Sequence, residues 1–210
     1  MNAVINIDTQ LFFAINHLLH NGLIDSCALF LSGIGEAGIV WFVIGAFLIF
    51  REESKDQRLF IPLGLTGGLA WSITELILKP LVARLRPSSA LDAATVIGGF
   101  PLGYSFPSTH AAFAFALATV LSYIEPKWKK GLYVLAVLIS LSRIYLGHHY
   151  PGDVIVGGIL GWGIGYFVLL WYKRYKKQTT IQKRKLKKTT KRSLHKRDYR
   201  YRRFAKRYGR

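Results

Sequence analysis

Apolar residues in this chain come in long blocks rather than in the periodic stripes of surface helices. Residues 59 to 78, 111 to 124, 130 to 146 and 154 to 172 are each nearly free of charge, and 37 to 50 is a shorter block of the same kind. A helix needs ~20 apolar residues to cross a bilayer, so 59 to 78 and 154 to 172 qualify outright and the others only with their flanks. Trp41, Trp71, Trp128, Trp162 and Trp171 mostly fall near block ends, where an interfacial aromatic belt would place them. The first 36 residues are less regular, because Asn16 and His17 interrupt one apolar run and Asn21-Gly22 breaks the pattern before the next. They read either as one irregular span or as an interfacial helix followed by a short one. The pattern predicts an all-α, polytopic membrane bundle of five or six spans.

Charge changes that picture at one place. Of the 210 residues, 1 to 172 hold ten Lys/Arg and ten Asp/Glu, whereas 173 to 210 hold 19 Lys/Arg and one acid, Asp198. The whole net charge of +18 therefore belongs to the tail. A stretch such as Lys183-Arg184-Lys185-Leu186-Lys187-Lys188 repels itself and cannot build a core, so residues 173 to 210 are expected to be a disordered cytoplasmic arm on a membrane domain of residues 1 to 172. The positive-inside rule keeps that arm in the cytoplasm. Counting back along the blocks puts the basic loops 125 to 130 and 51 to 58 inside, and 79 to 110 and 143 to 153 outside. No basic region precedes the first apolar run, so no removable signal peptide is expected. Cys27, the only cysteine, has no internal disulfide partner.

The two outward segments hold three polar clusters. Lys79 and Arg86 flank a break marked by Pro80 and Pro87; either cation alone would more simply snorkel to the interface, and Arg84 fits that reading best. Pro107-Ser108-Thr109-His110 precedes an apolar run and reads as a helix first turn, whose free N–H groups attract anions. An ordinary N-cap accounts for Ser108 but not for a histidine beside it, and His110 suits proton donation near neutral pH. The third cluster runs from Ser142-Arg143 through His148, His149 and Pro151-Gly152 to Asp153. Arg143 offers a planar fork for phosphate. Asp153 on one imidazole nitrogen of His149 would leave the other free to attack; the plainer alternative is that Asp153 only caps the last helix.

The set Lys79 to Arg86-Pro87, then Pro107-Ser108-Thr109-His110, then Ser142-Arg143 to His149 to Asp153 resembles the signature of the type 2 phosphatidic acid phosphatase superfamily, which also includes vanadium haloperoxidases. The resemblance spans residues 79 to 153, with Thr109 standing where the family usually has glycine. It implies that His149 attacks phosphorus and forms a phosphohistidine, oriented by Asp153, and that His110 protonates the leaving oxygen. Lys79, Arg86, Arg143, Ser108 and the amides at Thr109 would hold the phosphate oxygens. No cofactor or metal is expected, since three cations stand where magnesium would otherwise neutralise charge. Spacing favours His149 over His148, which is expected at the rim, and Glu75 is expected to pair with Lys79. The substrate implied is a lipid phosphate or pyrophosphate, first undecaprenyl pyrophosphate, then phosphatidylglycerophosphate or phosphatidic acid. A soluble haloperoxidase fits the blocks poorly. A nonenzymatic anchor presenting the basic tail, with Tyr172, Tyr175, Tyr199, Tyr201 and Phe204, to nucleic acid or anionic lipid would leave the clusters unexplained.

Overall fold

The computed structural model describes residues 2–51 and 60–209, which are all-helical with irregular connections. The helices are α1 (Asn2–Asn16), α2 (Gly22–Gly35), α3 (Ile39–Arg51), α4 (Phe60–Trp71), α5 (Lys79–Val82), α6 (Pro87–Ala90), α7 (Thr109–Ile124), α8 (Lys129–Tyr145) and α9 (Pro151–Tyr208). Among the described residues, Phe60–Ala90 and Pro151–Gln182 are long and apolar enough to cross a membrane, and Gly22–Gly35 with Ile39–Leu48, bent by 66°, would make a third span. Helix α7 has 16 residues, about 24 Å at 1.5 Å per residue, against a hydrocarbon thickness of ~30 Å. Residues 52 to 59, most of one expected inner loop, lie outside the described residues.

By contacts the chain divides into Met1–Leu169 and Leu170–Arg210. In the second unit, which includes the arm expected at 173 to 210, the chain is helical as far as Tyr208. Its Lys, Arg, Gln and Leu residues favour helix, and no glycine or proline interrupts them before Gly209. Charge there forbids a core without forbidding a helix.

In the first unit α7 is central, with ten of its 16 residues buried. Trp41 of α3, Leu63 of α4, Leu117 and Leu121 of α7 and Ile139 of α8 meet in the main core. On another face α9 lies against α7 at backbone distance. A Cβ placed on Gly157, Gly161 or Gly165 would come within 2.5, 2.1 and 2.5 Å of the carbonyl oxygens of Ser108, Ala112 and Ala116. Both series repeat every four residues, so each lies along one helix face and the two interlock as small residues do between membrane helices.

The breaks in the pattern have structural causes. Asn16, which interrupts the first apolar run, is fully buried. It donates to the carbonyls of Thr95 and Tyr145 and accepts from the Thr95 N–H, each at 2.8 Å, tying α1 to the long loop and to α8. Pro80 has no N–H to give, and ahead of it Ser72–Leu78 is a π-helix, with the Lys79 N–H on the carbonyl of Thr74. Ala83 then takes the left-handed conformation, φ 49°, which ends α5 and turns Arg84 and Arg86 inward.

The α7–α9 contact predicts a sharp contrast between two neighbouring glycines. Gly161→Leu must push the helices apart at a backbone carbonyl and should cost at least the ~1–3 kcal/mol typical of overpacking. Gly163 faces open space. Gly163→Ala should be neutral or stabilising by up to about 1 kcal/mol, since alanine is the better helix former. Thermal melting in detergent tests this, and equal shifts for the two variants would contradict it.

Candidate active site

His149 lies in the turn between α8 and α9. Gly147, at φ 80° and within 2.4 Å of the Thr95 carbonyl at its would-be Cβ, ends α8 where a side chain would not fit. The amides of His148 and His149 both return to the Arg143 carbonyl, at 3.0 and 3.2 Å. Pro151 opens α9, and Asp153 reaches back with Oδ2 to the Tyr150 N–H at 2.9 Å, half of a capping box. This leaves His149 2% exposed, with Nδ1 3.6 Å from Asp153 Oδ2, an ion-pair distance rather than a hydrogen bond. Its Nε2 stands 3.2 Å from Nη1 of Arg86. A guanidinium only donates, so Nε2 accepts and, in the neutral ring, the proton sits on Nδ1, facing Asp153.

Three cations converge on the same place. Arg86 is held by the carbonyls of Gly103, Leu102 and His148, each at 3.1 Å, so its position is set by backbone rather than by a countercharge. Lys79, 7% exposed, gives one N–H to Glu75 Oε1 at 2.6 Å. Arg143 gives Nη1 to the Ser32 hydroxyl, while its buried Nε has no hydrogen-bond partner. A buried donor without an acceptor is costly, so Nε marks a place where an anion would be welcome. A cavity of about 390 Å³ is lined by Lys79, Arg86, Thr109, His110, Arg143 and His149, together with Glu36, Glu75, Trp71, Phe113 and others. Ser108 is fully buried and its hydroxyl accepts the Ala111 N–H at 3.5 Å, the N-cap of α7.

The profile of the PAP2 superfamily matches residues 59–177. The chain belongs to the PAP2 superfamily. An undecaprenyl-diphosphatase of Sulfolobus acidocaldarius is 34% identical over 161 residues, 75% of this chain and 74% of that protein. A lipid A 4'-phosphatase of Bacteroides thetaiotaomicron is 39% identical over 168 residues, 74% of this chain and 72% of that one. Among solved structures, Aquifex aeolicus LpxE superposes with a TM-score of 0.62 at 33% identity, covering 77% of this chain and 93% of that chain. The chain is therefore a membrane phosphatase, an enzyme of the hydrolase class.

Two expectations around the PAP2 motifs need correcting. His148, expected at the rim, is 5% exposed, because the turn after Gly147 folds it inward. Arg84, expected to snorkel, is instead bound on both sides: Nη1 to Asp153 Oδ1 at 2.7 Å and Nη2 to Asp8 Oδ2 at 2.6 Å. The left-handed turn at Ala83 aims it there. Sequence reasoning also passed over Asp8, whose signal was available: it is the one charged residue of α1, and a carboxylate beside an apolar run wants a cation. Glu75 does pair with Lys79, and it also accepts the Thr109 hydroxyl at 2.5 Å. The threonine that replaces the usual PAP2 glycine thus has a partner that no glycine could supply.

In the turn between α8 and α9, burial, then the guanidiniums of Arg143 and Arg86, push His148 from 6.5 down to about 4. Burial, then Arg86 and Arg143, hold His149 well below 6.5. Both rings are neutral at neutral pH. Below pH 6.5 the unfolded chain binds protons that the native site refuses, so this contribution to stability is complete above about 6.5 and is lost as pH falls toward 4. The thermal midpoint in detergent should drop across that window, and less steeply in His148→Gln. A midpoint flat from pH 7 to 4.5 would refute the buried neutral pair.

Proposed function

We propose that this PAP2 phosphatase hydrolyses a lipid phosphate or pyrophosphate at the extracytoplasmic membrane face. The observation that carries the reading is the Nε2 of a buried, neutral His149 presented to a cavity with Lys79, Arg86 and the unpaired Nε of Arg143. A phosphoryl group entering there offers acceptors to Arg86 Nη1, which releases Nε2. The Nε2 lone pair attacks phosphorus, the bond to the leaving oxygen breaks, and His110 donates its proton to that oxygen. Asp153 holds the Nδ1 proton as positive charge grows on the ring. Water then attacks the phosphohistidine, His110 takes the water's proton, phosphate leaves and Nε2 is free again. The three cations and the amides at the start of α7 stabilise the equatorial oxygens throughout.

Undecaprenyl pyrophosphate is the first substrate candidate, supported by the likeness to the archaeal undecaprenyl-diphosphatase. Phosphatidylglycerophosphate and phosphatidic acid are the alternatives from the motifs, and the likeness to a lipid A 4'-phosphatase adds a phosphorylated glycolipid. The positive-inside rule supports the sidedness, since 19 cations follow the last span. On this reading α7 and α8 cross with their flanking residues, completing five spans or six, and residues 173 to 210 are an arm on the anionic inner leaflet.

Purified protein incubated with a panel of these lipids in a chelator should release phosphate, with undecaprenyl pyrophosphate preferred. His149→Ala should abolish release and His110→Ala should reduce it by roughly 100-fold or more. Release from none of the lipids would sink the reading. Sidedness is a separate prediction. In a Cys27→Ser background, a thiol probe should label Ser89→Cys from outside intact cells and Lys129→Cys only after permeabilisation; the reverse would place the site in the cytoplasm.

A further inference from the structure

Asp153 reaches His149 from behind the cavity, and its other contacts lead away from the phosphate site. Its Oδ1 accepts from Arg84 at 2.7 Å, and Oδ2 is shared between the Tyr150 N–H at 2.9 Å and His149 Nδ1 at 3.6 Å. Arg84 carries on to Asp8 of α1 at 2.6 Å, and its guanidinium lies 3.8 Å from the centre of the Tyr150 ring. Asp8 closes the circuit by accepting the Gly152 N–H at 2.7 Å, in the same turn that joins His149 to Asp153. Side-chain exposure is 25% for Arg84, 14% for Asp8 and nil for Asp153. Two carboxylates share one guanidinium at hydrogen-bond distance in a largely dry place. Loss of one member of such an arrangement leaves an uncompensated charge in that place.

We propose that Asp8 and Arg84 are positioning residues for His149: Arg84 keeps Asp153 ionised and aimed at Nδ1, while Asp8 draws on the same guanidinium so that Asp153 retains its pull on the imidazole proton. The inference rests on His149 being the nucleophile. It differs from a simple staple of α1 to the bundle, because it ties catalysis to the sum of three charges. The titratable or charged groups facing Asp153 are Arg84 with Asp8 beyond it, His149, Tyr150 and Arg86. Only the first two can be changed without touching the reacting histidine, the cation beside it or the ring beneath Arg84.

The three-charge sum predicts opposite effects from its two members. Arg84→Met leaves two carboxylates facing each other. Asp153 is then protonated more readily, so kcat should fall by roughly 100-fold with KM within a few-fold, and its acid limb should move to higher pH. Asp8→Asn gives Arg84 wholly to Asp153. There kcat should fall by roughly 10-fold, and the acid limb should move to lower pH. Arg84→Lys, a point charge that cannot fork between two carboxylates, should lie between wild type and Arg84→Met. The decisive variant is the double, Asp8→Asn with Arg84→Met, which returns the cluster to a single negative charge and should be more active than Arg84→Met alone.

The same variants are to be read by ¹⁵N NMR of the His149 ring, assigned through His149→Ala. Its Nδ1–H tautomer should weaken in Arg84→Met and recover in the double variant. This readout does not need a substrate. If wild type turns over none of the lipids, the functional reading fails while the ring signal still decides the relay. Additive losses in the double variant, unmoved acid limbs and an unmoved His149 signal would overturn the proposal. Should Arg84→Met fail to fold, Asp8→Asn must still move the acid limb to lower pH and Arg84→Lys must still turn over more slowly than wild type.

Discussion

Everything at the site depends on how closely α9 approaches α7. Gly157, Gly161 and Gly165 let the α9 backbone sit on the carbonyls of Ser108, Ala112 and Ala116, with no room for even one Cβ between them. That contact brings the two helix starts together, and the Ser108 N–H donates to the Asp153 carbonyl at 3.0 Å. The start of α7 and two histidines therefore meet at one cavity. With side chains at those three positions the helices would stand further apart, and the Ser108–Asp153 bond would be among the first losses. Small residues in this protein act through distance, and distance is what puts His110 near His149.

Convergence of cations is the second constraint, because like charges in a dry site oppose folding. The protein answers with three different devices. Lys79 has the carboxylate of Glu75, Arg86 has three carbonyls, and Arg143 has a hydroxyl and an unpaired Nε. Only the first is a direct hydrogen-bonded ion pair. The site as a whole stays short of anion, and a phosphoryl group supplies what the resting protein lacks. His149 is held by the same logic, with Arg86 Nη1 standing at its Nε2. On the proposed mechanism binding and activation of His149 are one event, since a ligand that does not draw Arg86 away leaves the lone pair engaged.

The residues that line the cavity were legible in the sequence because their chemistry is written in residue type and short spacing. Lys79, Arg86, His110, Arg143 and His149 all line one cavity, as their clusters suggested. Asp153 lies beside His149 because a four-residue offset survives any regular turn into a helix. Arg84 and Asp8 were not legible as a pair, since 76 positions separate them and only the αL turn at Ala83 aims one at the other. The fold class followed from apolar blocks. Their ends did not, because Pro80 and the left-handed Ala83 act through the backbone and Asn16 through side-chain bonds to distant backbone groups, none of which hydropathy describes.

Thr109 shows how a departure from a family pattern is absorbed. Its hydroxyl is the first side-chain group of α7, and it donates to the Glu75 oxygen that also receives Lys79. One carboxylate oxygen thereby joins the π-helical end of the third apolar block to the start of the central helix. Glu75 is not spent on Lys79 alone, so the ammonium is less tightly neutralised than an isolated pair would make it. A carboxylate this near the phosphate cavity would ordinarily repel the substrate. Here two donors hold its charge, and the cost of placing an acid in an anion site is offset by fixing a cation there.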